Sequence, residues 1–63
     1  MKIEYIWYSS PKTKRTYDTK RAFDMTPRFW RPKTQEEFDK RELESLEENK
    51  ARGLILEYRV VEA

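Results

Sequence analysis

Ten residues between Lys12 and Lys33 have side chains suited to gripping another molecule: Lys12, Lys14, Arg15, Lys20, Arg21, Arg28, Phe29, Trp30, Arg31 and Lys33. Lysine and arginine attract carboxylates and phosphates. Exposed rings stack on bases or fill apolar sockets, and Trp and Arg rank high among residues that anchor protein interfaces. The densest part is Arg28-Phe29-Trp30-Arg31. The leading expectation is a non-catalytic module that docks this basic-aromatic surface (residues 12–33) onto a protein partner, as adaptor, inhibitor or subunit. The alternative is a nucleic-acid-binding protein that sets the same cations on phosphates and the same rings on bases. For Phe29 and Trp30 a structural role competes with both: the rings could close the open end of a small core, with Arg28 and Arg31 reaching outward along them.

Catalysis finds little material. The chain has no His and no Cys, so it lacks the usual general base near neutral pH, the commonest metal-binding nitrogen and any thiolate chemistry. Ser9, Ser10 and Ser45 have no histidine to activate them, and a Ser10–Lys12 pairing falls in turn sequence. Glu48-Asn49-Lys50 spells the E-x-K of a nuclease core, but on a helix end instead of the strand such a core needs. Glu36, Glu37, Asp39, Glu42 and Glu44 lack the alternation and turning glycine of a calcium loop. One glycine cannot build a phosphate-cradling loop. No enzymatic activity, cofactor or metal is expected.

Charge is unevenly spread. Residues 1–33 hold nine basic and three acidic side chains, and residues 34–63 hold five basic and nine acidic. Such halves suggest one face for a partner and one for solvent. The longest apolar run, Tyr5-Ile6-Trp7-Tyr8, is far shorter than the ~20 residues of a membrane span, so no membrane contact is expected and the N-terminus reads as strand. A fold without disulfide staples suits a cytoplasmic location, which is the expectation.

The elements that must position these residues form one small domain of 63 residues. Residues 1–9 read as a strand with Ile3, Tyr5 and Trp7 on one face. Ser9 to Thr13 is turn material around Pro11. Residues 14–23 read as the returning strand, and 24–33 as a connector broken by Pro27 and Pro32. Residues 34–52 read as a helix, with a Thr34/Glu37 capping box, Glu36/Lys40, Glu37/Arg41 and Glu48/Arg52 pairs, and Gly53 as the left-handed cap. Its apolar stripe, Phe38, Leu43, Leu46 and Ala51, is narrow. Residues 54–62 read as a strand with Leu54, Leu56, Tyr58 and Val60 on one face. The fold class is therefore α+β: a two-layer β-β-α-β domain, an antiparallel hairpin plus a C-terminal strand with one helix packed on the sheet. An open edge of that sheet could also support a homo-oligomer.

Overall fold

The alternation of β1 (Lys2–Trp7) points Ile3, Tyr5 and Trp7 to one side, and this strand takes the centre of the sheet. The computed structural model describes residues 1–62, which form β1, β2 (Lys14–Asp18), α1 (Thr19–Met25), α2 (Gln35–Ala51) and β3 (Ile55–Glu62). Strand order is β2-β1-β3, antiparallel throughout, with Ile3 opposite Tyr17 on one side and Val60 on the other. The α+β class and its two layers are as the sequence leads one to expect. No helix among the described residues is long and apolar enough to cross a membrane.

The core forms where α2 crosses the sheet. Ile3 is fully buried against Leu46 and Ile55, with Met1, Tyr5, Trp7, Tyr17, Leu43 and Tyr58 around them. Each such buried side chain contributes about 1.5–3 kcal/mol. Because α2 offers so few apolar residues, hydroxyl–carboxylate bonds add to its hold. Tyr17 of β2 donates to Glu42 Oε2 at 2.9 Å, and Tyr58 of β3 donates to Glu47 Oε2. One tyrosine from each outer strand thus ties the helix across the sheet. Ala51, expected in the stripe, is exposed.

Both ends of α2 follow their signals. Thr34 Oγ1 accepts from Glu37 N at 3.2 Å, which is the Thr34 half of the expected capping box. At the other end Gly53 has φ +79°, its N–H donates to Lys50 O at 3.0 Å, and Leu54 N donates to Asn49 O at 2.9 Å. That pair of bonds is a Schellman motif. Of the expected i,i+4 ion pairs only Glu48–Arg52 closes among the described residues, at 2.7 Å.

Two expectations are corrected. The second strand stops at Asp18, not Phe23: the Asp18 side chain accepts from Lys20 N at 2.9 Å and starts a helix, α1, that also takes in Asp24 and Met25 of the expected connector. An aspartate followed by Thr-Lys-Arg-Ala-Phe is a usable N-cap, and here it overrides the weak strand alternation. On β3 the expected faces are exchanged at one end. A bulge at Leu56 inserts an extra residue between the Ile6–Glu57 and Trp7–Ile55 pairs, so Ile55 turns into the core and Leu56 turns out. The other bounds differ at their ends: β1 stops at Trp7, β3 starts at Ile55, and Thr34 and Arg52 are the caps of α2.

This packing has two measurable outcomes. Leu46→Ala should cost about 2–5 kcal/mol, enough to unfold so small a domain, as read by urea denaturation. Burial and then the bond to Glu42 hold the Tyr17 phenol well above its ordinary range, and the bond to Glu47 raises Tyr58. A raised folded value means stability that is full below pH ~10 and lost as pH climbs beyond it. Tyr17→Phe should therefore cost about 1–2 kcal/mol at pH 7 and flatten the alkaline decline in urea melts between pH ~8 and ~11. An unchanged alkaline slope in that variant would assign the decline to other groups.

Candidate interaction surface

The base of α1 is pinned on three sides. Thr19, fully buried, donates from both its amide and its hydroxyl to Met1 O at 2.9 and 3.1 Å, and Gln35 Nε2 donates to Thr19 O at 3.2 Å. The first residue of the chain and the first turn of α2 are thereby joined through one threonine. Phe23, on the inner side of α1, meets Phe38 of α2 edge to face at 5.4 Å.

Proline ends α1 and shapes the segment after it. Thr26 precedes Pro27 and is extended at ψ 134°, because the proline ring disfavours the helical region for its predecessor. The next four residues form a turn closed by Trp30 N donating to Pro27 O at 2.9 Å, and Pro32, two residues on, is buried. Arg31 turns back beneath this turn. Its Nη1 donates to Phe23 O at 3.1 Å and its guanidinium carbon lies 4.6 Å from the Phe23 ring centre. The i+4 residue of that carbonyl is Pro27, which has no N–H, so Arg31 adds a charged donor where the Thr26 amide alone reaches, at 3.2 Å.

What the turn presents is apolar and cationic. Phe29 and Trp30 are 79% and 74% exposed, with their rings edge to face at 5.4 Å and 81°, and Met25 at the end of α1 is 74% exposed. Arg28, Lys33, Lys20 and Arg21 are exposed too. Among the described residues none of these four cations has a carboxylate oxygen within 4.0 Å. The alternative in which Phe29 and Trp30 plug the core is not what the fold adopts.

The ten sequence-predicted residues do not form one patch. Lys12 and Lys14 lie at the hairpin end of the sheet, whereas Lys20, Arg21 and residues 28–33 belong to α1 and the turn after it. From Lys14 to Asp18 the strand itself spans about 13 Å. Lys14 is also engaged: its Nζ is 3.8 Å from Glu4, and Arg59 Nε approaches the same oxygen at 3.1 Å from the opposite strand. Lys2 and Glu62 close a further pair at 3.4 Å, so the sheet face away from α2 neutralises much of its own charge. Arg15 is exposed on the other face, in register with Tyr5. Arg31 too is drawn into structure, a role visible only once α1 exists.

Five of the residues weighed for chemistry make contacts within the fold. Glu48 pairs with Arg52, Asn49 O receives Leu54 N, and Lys50 Nζ sits 5.9 Å from the Tyr58 ring centre. Glu42 serves Tyr17 and Asp39 accepts from Gln35 at 2.9 Å. Among the described residues no group of three or more acidic side chains converges on a point where a cation would sit.

No protein-family model, curated protein or solved structure matches this chain.

The two arginines flanking the rings should behave differently. Arg31→Ala should lower the urea-unfolding free energy by about 1–2 kcal/mol, since a carbonyl at the helix end loses its charged donor. Arg28→Ala, exposed and unpaired, should stay within about 0.5 kcal/mol of wild type. Equal effects would mean that Arg31 does not hold the turn.

Proposed function

We propose that the protein is a non-catalytic binding module that docks the turn carrying Phe29 and Trp30 onto a protein partner, as adaptor, inhibitor or subunit. The observation that carries this reading is the exposure of both rings, about three-quarters of each, on a turn held in place from beneath by Arg31 and Pro32. A small domain short of core material has every reason to bury two large rings, and each ring represents ~150–250 Å². Here they are displayed instead. Met25 at the end of α1 is exposed as well, and on the same segment Lys20, Arg21, Arg28 and Lys33 carry positive charge with no carboxylate oxygen within 4.0 Å among the described residues. The complementary surface is an apolar socket rimmed by carboxylates. Rings at the centre give affinity, and cations at the rim speed encounter and set orientation.

A protein partner accounts for the arrangement better than a nucleic acid does. Single-strand binders track phosphates along a continuous cationic groove and offer ring faces to successive bases. In this molecule the cations divide between two ends of the sheet, and the two rings stand edge to face. The first turn of α2, with Glu36 and Glu37, begins two residues beyond Lys33 and would repel a phosphate chain.

Trp30→Ala should leave the urea midpoint unchanged and lower affinity for the partner by about 30-fold or more, the size of a hot-spot truncation. The check is affinity capture on immobilised wild type and Trp30→Ala with nuclease-treated extract of the native host, read by mass spectrometry. Proteins retained by the wild type and lost with the variant support the reading. If instead oligonucleotides bind at ~50 mM salt with log K falling against log salt at a slope near −3.6, as about four phosphate contacts require, the surface belongs to nucleic acid.

A further inference from the structure

β3 is an edge strand: β1 occupies one side and, among the described residues, no strand occupies the other. Proteins usually blunt such edges with proline, with lysine or by keeping them short. β3 runs for eight residues, ILEYRVVE, with neither proline nor lysine, and Leu56, Val60 and Val61 are 49%, 43% and 44% exposed. Its bulges fall near the two ends, so Glu57 to Val60 remains regular strand, paired residue for residue with β1.

The sequence of that regular stretch is complementary to itself. We propose that β3 pairs antiparallel with β3 of a second copy about a two-fold axis through Tyr58. Glu57 of each copy then faces Arg59 of the other. Residues directly opposite one another in an antiparallel pair share a face of the sheet, so an axis passing between two residues is excluded for a strand with distinct faces. Shifting the axis by one residue sets either Glu57 against Glu57 or Arg59 against Arg59. The register through Tyr58 is the one that opposes unlike charges, and like charges directly opposite destabilise a pair.

The side chains are placed to use it. Glu57 is exposed, lies opposite Ile6 on the face away from α2, and has no cation within 4.0 Å among the described residues. Arg59 is on the same face, 63% exposed while touching Glu4, and so retains donors for a second carboxylate. A two-fold axis normal to the sheet keeps both α2 helices on one face and yields a six-stranded sheet. Strand pairing of this length buries less than the ~1,200 Å² of a standard stable interface. The dimer is therefore reversible and forms as concentration rises.

Sedimentation equilibrium from ~10 μM to ~1 mM tests this on the full chain. The wild type should pass from monomer to dimer over that range, and Trp30→Ala should do the same. Glu57→Arg should weaken dimerisation by about tenfold or more, because both cross-pairs become like-charged. Arg59→Glu should weaken it likewise, and an equimolar mixture of the two variants should dimerise as the wild type does, since each cross-pair is again unlike. Where Arg59→Glu does not fold because it faces Glu4, Glu4→Gln in the same chain removes that repulsion. A monomeric wild type at ~1 mM, a dimer indifferent to Glu57→Arg, or a mixture that stays monomeric would each overturn the proposal.

Discussion

The structure depends on how little apolar surface α2 has to give. A helix on a three-stranded sheet usually buries a broad stripe, and this one buries Phe38 and Leu46 with Leu43 half-covered. That shortage has two consequences. The hydroxyls of Tyr17 and Tyr58 reach the helix carboxylates, so part of the grip between layers is polar and directional. And the large rings of β1, Tyr5 and Trp7, fill the space that helix side chains would otherwise occupy. The direction of the helix is set as much by where two tyrosines stand as by the fit of its apolar residues.

The same shortage explains the division of labour along the chain. Phe38 lies toward the start of α2 and meets Phe23, while Leu46, two turns on, meets Ile3 and Ile55. The molecule therefore has a main cluster under the middle of the helix and a smaller aromatic one at its N-terminal end. The smaller cluster is what α1 packs on, and through Phe23 and Arg31 it is what supports the exposed turn. The display of Phe29 and Trp30 is built on the second cluster, away from the main one.

Much of the fold was legible because particular residues have few other uses. Thr34 before an acidic turn, and the chain's single glycine after Lys50 and Arg52, bounded α2 to within a residue or two. Alternation around Ile3, Tyr5 and Trp7 placed β1. β3 was legible as a strand but not in its faces, because Leu54, Ile55, Leu56, Val60 and Val61 are apolar at both parities and a bulge then decides which turns inward. α1 was missed because Lys14 to Phe23 alternates well enough to pass for a strand, and the Asp18 cap gains its meaning only when Thr19 finds Met1 and Gln35. Of the candidate surface, residue types identified the exposed rings, whereas the positions of the cations required the register. Lys14 is tied to Glu4 by cross-strand geometry, and Arg31 reaches back eight residues to a helix-end carbonyl whose i+4 residue, Pro27, has no N–H to give.

The turn between Pro27 and Pro32 is secured entirely from its flanks and underside: the Thr26 hydroxyl on Ala22 O, the Trp30 amide on Pro27 O, the Arg31 guanidinium on Phe23 O. None of those bonds uses the side chains at Arg28, Phe29 or Trp30. Their chemistry is thus uncoupled from the folding of the chain, which leaves that tip free to diversify under selection, or to be grafted with foreign side chains, while the framework beneath it stays the same.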